Sequence, residues 1–169
     1  DDRPALAELM KDALTRAANE LIAMRMREGE RLSSDMKTRL GVIADIREKI
    51  SEHAPLVVEE QRKKLNERIE SLLSETEIDR ARLATEIALF ADKVSIDEEL
   101  VRLSSHIAAA GELLENNGSI GRKLDFIVQE MNREFNTIGS KANDKTIVSL
   151  VIDGKAELEK MREQVQNFE

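Results

Sequence analysis

Apolar positions recur at helical spacing through the first third of the chain. Apolar side chains recur at steps of three and four from Leu6 to Ile50, which places them on one face of an α-helix. Nothing before His53 forbids a single helix, and Pro55 is the next residue that disfavours one. The pattern therefore predicts one long amphipathic helix that ends near His53 and needs a partner to cover its apolar stripe.

Shorter helices are predicted after Pro55. Ser95 and Glu98 have the spacing of a capping box, and Asn116 begins an Asn-Asn-Gly sequence that is typical of a helix end. The segment 138–143 is rich in small and polar residues and is predicted to be a loop. Helices are expected over 56–73, 79–93, 95–116 and 120–136, and from residue 144 onwards.

The last predicted helix carries a heptad pattern. Its apolar positions follow steps of four and three, a coiled-coil spacing that suits pairing within one chain or between two chains. These positions are Ile147, Val151, Gly154, Leu158, Met161, Val165 and Phe168. Because strand-like alternation is absent from the sequence, the predicted class is all-α. We expect a long helical arm over 1–53 and a helical bundle over 54–169.

Composition narrows the classes of function. The 169 residues include no cysteine, which excludes disulfides, thiolate catalysis and cysteine-ligated zinc and fits a reducing, cytoplasmic setting. No apolar run reaches the length of about eighteen residues that a membrane-spanning helix needs. The first residues lack the features of a signal peptide and include no initiator methionine, so we expect a processed protein or a piece of a longer one.

Charge and aromatic content limit how nucleic acid could bind. The net charge of −8 counts against binding over the whole surface but leaves room for a local basic patch. The chain has no Trp or Tyr and only four Phe, so we expect no aromatic stacking platform. Binding would then rest on phosphate and shape contacts and would depend strongly on salt.

The predicted helix over 120–136 has two distinct faces. Two cations, Arg122 and Lys123, stand near its N-terminus, where a bound anion such as an RNA phosphate would offset their repulsion from the helix dipole. The alternative is a solvated face with ordinary pairs such as Asp125 with Gln129. The outward polar residues are Arg122, Asp125, Gln129, Asn132, Arg133 and Asn136.

Three residues upstream could carry chemistry. Glu99, Arg102 and His106 follow at steps of three and four, so they lie along one side of a helix. A neutral histidine could exchange a proton with a ribose hydroxyl or a leaving oxygen, and an arginine could hold the phosphate. The alternative is a surface histidine beside an ordinary Glu–Arg helix pair.

The sequence resembles the bacterial YicC/YloC family along almost its whole length. The densest stretch is GRKLDFIVQEMNREFNTIGSKAND at 121–144, followed by KAELEKMREQVQN at 155–167. Matching segments occur upstream in the same order, at 26–30, 54–55, 82–93 and 96–106. The chain departs from the family at Gly154, where the family usually has a better helix former, so we expect a weakened last helix.

The resemblance implies a cytoplasmic, stress-associated endoribonuclease that depends on Mn²⁺ or Mg²⁺ and assembles as a hexamer, with a further N-terminal domain. His106 would act as acid and base with Glu99 and Arg102 beside it. From the polar faces of the helices, the metal is expected to take oxygen ligands from Glu130 together with Asp125, with Glu99 as the alternative to Asp125. RNA would be contacted by Arg122, Lys123, Gln129, Arg133, Asn136 and Lys141. The alternative function is a helical oligomerisation or adaptor module without chemistry of its own.

Overall fold

A computed structural model describes residues 3–72, 80–116 and 120–166, and within these ranges the regular structure is helical. The all-α prediction is confirmed. None of the described helices is both long enough and apolar enough to cross a lipid bilayer. The helices are α1 (Arg3–Leu72), α2 (Arg80–Val94), α3 (Asp97–Glu115), α4 (Gly121–Lys141) and α5 (Lys145–Val165).

The predicted break at Pro55 is wrong, because α1 continues through this proline to Leu72. Proline lacks the N–H that would bond to the carbonyl of Ser51, and in a helix interior it disfavours the helix by about 3 kcal/mol. Buried neighbours on both sides, Ala54 and Val57, pack into the core and hold the helix in place. Packing therefore overrides the local preference. The division into an arm over 1–53 and a bundle over 54–169 stays a prediction.

The N-terminal third of α1 lies outside the core. Its large apolar side chains are exposed, and burial of the α1 stripe begins only at Met36. From Met36 to Val57 one face of α1 packs against α3 and α5. The exposed apolar residues before this point are Leu6, Leu9, Met10, Leu14, Leu21, Ile22, Met24 and Met26.

Helices α3, α4 and α5 complete the bundle with the middle of α1. The packed pairs are α3 with α4, α4 with α5, and α1 with both α3 and α5. Leu, Ile, Val, Met and Ala fill most of the interior, and Phe135 is its largest fully buried side chain. Leu103 of α3, Leu124 and Met131 of α4 and Met161 of α5 have no solvent exposure.

Two helix boundaries differ from the prediction. The expected loop over 138–143 is wrong for its first four residues, because α4 continues to Lys141 with Ile138 fully buried. The expected capping box is also not formed: the N-cap of α3 is Ile96, which makes no side-chain cap. Ser95 instead accepts a hydrogen bond from the backbone N–H of Asp97 at 3.3 Å.

The turn between α4 and α5 is short. Asn143 adopts a positive φ of 44° there, a conformation that asparagine tolerates well. Asp144 caps α5 as its position suggested, because its Oδ1 accepts a hydrogen bond from the N–H of Ile147 at 2.9 Å. His53, expected near a helix end, lies inside α1 with Nε2 3.3 Å from the same Asp144 Oδ1.

The predicted seam of α5 is confirmed. Every heptad position from Ile147 to Val165 is buried, including Gly154. Phe168 lies outside the described residues, as do the boundaries predicted at Asp79 and Gly118. The seam faces α4 and α1 of the same chain, so the intramolecular alternative is the one observed.

Candidate functional site

A cluster of charged residues joins α3 to α4 and is centred on Arg102. Its Nε donates a hydrogen bond to Glu134 Oε1 at 2.9 Å, and its Nη2 donates to Glu99 Oε1 at 3.2 Å. Its Nη1 contacts the exposed carboxylate of Glu98, one turn earlier in α3. Three carboxylates thus fix one guanidinium, whose position is set from two helices.

Lys141 closes the cluster from the end of α4. Its Nζ donates to Glu99 Oε1 at 2.9 Å and lies 3.4 Å from the carbonyl oxygen of Ser95. This contact exists because α4 runs on to Lys141 instead of ending in the predicted loop. Glu99, Arg102, Glu134 and Lys141 are called the α3–α4 ion cluster below.

The two carboxylates at the centre of this cluster are almost completely buried. The side chains of Glu99 and Glu134 are 4% and 9% exposed. The Oε2 atoms of both side chains are buried without a hydrogen-bond partner among the described residues. A buried carboxylate oxygen without a donor is energetically costly, so these two atoms are a feature that helix packing alone does not explain.

Electrostatics keep Glu99 and Arg102 charged. Burial raises the pKa of Glu99, but the hydrogen bond from Lys141 and the positive charges of Lys141 and Arg102 outweigh it and leave the pKa below its ordinary value. The hydrogen bond to Glu134 raises the pKa of Arg102. The charges of Glu98 and Glu99 act in the same direction, so this guanidinium stays protonated.

Three of the four residues of this cluster were predicted from the sequence as site residues. The structure places Glu99, Arg102 and Lys141 together, although Lys141 was assigned to RNA contact and the other two to catalysis. Glu134 was missed as a site residue. The available signal was its position on the inward side of α4, next to Met131 and Phe135, where a charged residue is unusual unless it is paired.

His106 stands apart from the cluster. It lies one helical turn after Arg102 and is partly buried. It makes no hydrogen bond or ion pair with any residue that the structure describes. No described side chain therefore fixes the orientation of the ring. Its catalytic role stays a prediction.

The predicted metal ligands do not converge. Asp125 Oδ2 accepts a hydrogen bond from Gln129 at 2.7 Å, and its Oδ1 lies 3.8 Å from Arg162 Nε. Glu130 Oε1 accepts from Arg133 at 2.7 Å. Five positions correspond to about 140° of helical rotation, so Asp125 and Glu130 point in different directions. Within 3–72, 80–116 and 120–166, no group of three or more potential ligands is poised to hold a metal.

The other predicted RNA contacts lie on the exposed side of α4. Asn136 accepts a hydrogen bond from Lys155 at 2.8 Å, and Arg133 is paired with Glu130. Arg122 and Lys123 are exposed and make no hydrogen bond or ion pair within the described part of the chain. Arg122 lines two surface grooves, one between α3 and α4 and one between α4 and α5.

Comparisons with known proteins agree on one family. The family described as "Endoribonuclease YicC-like, C-terminal" matches residues 50–169. A protein named "Probable endoribonuclease YicC" from Clostridioides difficile strain 630 is 46% identical over 170 aligned positions, covering 100% of this chain and 58% of the relative. A protein of the same name from Haemophilus influenzae Rd is 37% identical over 168 positions, covering 99% of this chain and 58% of that relative. The chain therefore spans less than two thirds of the length of these relatives.

Proposed function

We propose, since this chain belongs to the family of YicC-like endoribonucleases, that its bundle takes part in cutting RNA phosphodiester bonds. The observation that carries the proposal is the α3–α4 ion cluster, which lies inside the segment that the family model covers. Buried ion pairs are seldom more stabilising than well-packed apolar residues of similar size. A cluster with two orphaned carboxylate oxygens is therefore better explained by a role in binding or catalysis.

Arg102 is the residue best placed to hold the scissile phosphate. Glu99 and Glu134 fix its Nη2 and Nε from the buried side, whereas its Nη1 points to the exposed Glu98. A phosphate oxygen could replace the Glu98 carboxylate with little desolvation, since that side chain is 78% exposed. The buried pair would then keep the guanidinium in position while charge grows on the phosphate.

His106 would supply proton transfer at the same side of α3. It follows Arg102 by one turn, so a phosphate bound to Arg102 would bring the neighbouring ribose hydroxyl toward the imidazole. The ring nitrogen would take the proton from that hydroxyl or return one to the leaving oxygen. Its lack of a described partner is compatible with a group that is oriented by its substrate.

A divalent ion, Mn²⁺ or Mg²⁺, is part of the proposal. The orphaned Oε2 atoms of Glu99 and Glu134 are oxygen acceptors of the type that these ions prefer, whereas the carboxylates of Asp125 and Glu130 are paired and diverge. In the proposal the ion would be held by the Oε2 atoms of Glu99 and Glu134, while their Oε1 atoms keep Arg102 in position. A bound ion would stabilise negative charge on phosphate oxygens.

A homo-oligomer is the second part of the proposal, and one observation favours it. The exposed apolar side chains from Leu6 to Met24 that share one face of α1 form a continuous stripe, unlike the isolated apolar residues that are common on protein surfaces. An amphipathic helix of this kind ordinarily packs against another element. This stripe is also the observation that favours the adaptor function, since oligomerisation alone would explain it.

The direct test is cleavage of a labelled structured RNA by this chain and by the longer relative from Clostridioides difficile, each with Mn²⁺ and with chelator. We expect metal-dependent cutting, reduced about a hundredfold or more by His106→Ala. Ser105→Ala is the matched control, because its exposed hydroxyl bonds only to the carbonyl of Val101 and should leave the rate unchanged. Absence of cutting by both proteins would favour the adaptor function. Full activity of the histidine variant would remove His106 from the mechanism.

A further inference from the structure

Phe126 is a large aromatic side chain left exposed on α4. It is 62% exposed, whereas Phe135 on the same helix is fully buried and Phe90 on α2 is 37% exposed. The chain has four Phe and no Trp or Tyr, so an exposed aromatic ring is a scarce feature here. The expectation of no aromatic stacking platform was drawn from composition, which does not show how exposed each ring is.

The ring of Phe126 forms a wall between two grooves. One groove, of about 510 Å³, lies between α3 and α4 and is also lined by Leu113 and Lys123. The other, of about 470 Å³, lies between α4 and α5 and is also lined by Gln129 and Arg162. Both volumes are in the range of about 300–1,000 Å³ that is typical of small-ligand sites. Phe126 can therefore be reached from both grooves.

Cations line both grooves beside Phe126, although the net charge of the chain is negative. Arg122 precedes Phe126 by one helical turn and lines both grooves, and Lys123 lines the first. Neither cation has an ion pair or hydrogen bond among the described residues. Of the two acidic residues that line the grooves, Glu112 and Asp125, the second is already occupied by Gln129 and Arg162.

We propose that Phe126 stacks against an unpaired base of RNA while Arg122 and Lys123 hold the phosphates on either side of it. An exposed ring flanked by unpaired cations matches a nucleotide, which presents a flat π-face next to a negative charge. Because every base has such a face, this contact favours single-stranded segments without selecting a sequence. The inference rests on the proposed function, in that RNA is taken as the substrate, and it names the structural class of that substrate.

The replacement Phe126→Trp gives a direct measurement, because the chain contains no other tryptophan. We expect its fluorescence to be quenched, with saturation, when a single-stranded RNA oligonucleotide is added in the presence of chelator. A fully paired duplex of the same length should quench it much less. Phe126→Ala should weaken binding of the single strand by about five- to hundredfold, measured by fluorescence anisotropy of labelled RNA.

The control is Ile152→Ala, which removes an apolar side chain of α5 that is also 62% exposed. Its RNA affinity should equal that of the unmodified chain. Unquenched fluorescence of the Phe126→Trp variant together with tight RNA binding would overturn the stacking contact and leave the endoribonuclease proposal standing. If the chain neither binds nor cuts RNA, both proposals are overturned. A change in the tryptophan signal that depends on protein concentration, without RNA, would show that Phe126 instead contacts a second protein copy.

Discussion

The ring of Phe135 lies directly against the backbone of Gly154. A β-carbon added to Gly154 would lie 2.5 Å from Cζ and 2.7 Å from Cε1 of Phe135, closer than real side chains approach. Both residues are buried at the contact between α4 and α5. Helix propensity alone treats Gly154 as a weakness of the last helix, by about 1 kcal/mol relative to alanine. The close approach of the ring shows why a side chain is not accommodated there.

Gly154→Ala should destabilise the protein in spite of alanine's better helix propensity. Overpacking costs about 1–3 kcal/mol, and the gain in propensity is about 1 kcal/mol, so we expect a net loss of up to about 2 kcal/mol. Urea unfolding followed by circular dichroism would measure it. Gly41→Ala is the matched control, since nothing lies within 4 Å of the added β-carbon and it should stabilise α1. Equal effects of the two variants would contradict the close contact.

The α3–α4 ion cluster should make stability depend on pH in the acidic range. The pKa of Glu99 in the folded chain is lowered from 4.5, so the unfolded chain binds the proton more readily and stability is lost as the pH falls through the lowered value. Lys141→Met removes the cation that opposes burial, so the pKa of Glu99 should rise.

The Lys141→Met variant should therefore be less stable at neutral pH but lose less stability on acidification. Unfolding by urea at a series of pH values, from neutral to below 4.5, would measure both effects. Lys155→Met should keep the pH dependence of the unmodified chain, because Lys155 bonds to the uncharged amide of Asn136. Identical pH profiles for all three proteins would show that Glu99 does not carry the effect.

Two alternative metal sites can be separated by single isosteric changes. Glu134→Gln removes a carboxylate whose Oε2 has no described partner, and we expect it to weaken Mn²⁺ binding by about tenfold or more. Glu130→Gln should leave binding unchanged, because that carboxylate is paired with Arg133. Electron paramagnetic resonance of free Mn²⁺ measures binding without any cleavage. The opposite ranking would favour the ligands that were predicted from the sequence.

Salt dependence should distinguish the two exposed arginines of α4. Arg122 is unpaired within the described residues, whereas Arg133 lies 2.7 Å from Glu130. Loss of one phosphate contact on a single strand lowers the slope of log affinity against log salt by about 0.7. We expect this change for Arg122→Gln and a smaller one for Arg133→Gln, from anisotropy titrations at several salt concentrations. An unchanged slope for Arg122→Gln would place the phosphates elsewhere.

The exposed stripe of α1 should mediate self-association. Leu9→Glu combined with Leu21→Glu places charges in that stripe, so we expect the chain to sediment as a 19.1 kDa monomer. Thr15→Glu, whose hydroxyl bonds only to the carbonyl of Lys11 on the same helix, should leave the assembly intact. Sedimentation equilibrium would compare the variants. If the unmodified chain sediments as a monomer, the proposal that this stripe mediates self-association is wrong.

Periodicity determined more of the fold than local residue preferences did. The helical spacing of apolar residues predicted the all-α class and the buried seam of α5, because repeated burial on one face is a property that the order of residues already contains. Single-residue signals were less reliable. Pro55 did not end α1, and the small and polar residues after Ile138 did not end α4. In both places buried neighbours outweighed a local preference of a few kcal/mol.

Residue order alone was sufficient for the helical class, the seam and the family, since each depends on a pattern along one chain. Which charged residues meet was settled by helix packing. Glu134 is 32 positions from Arg102, and Lys141 is 42 from Glu99, so their contacts depend on how α3 packs on α4. The same packing left His106 without a described hydrogen-bond or ion-pair partner, exposed Phe126 and seated Phe135 on Gly154. Periodicity specifies the face a residue occupies, whereas only the relative placement of two helices fixes its neighbour.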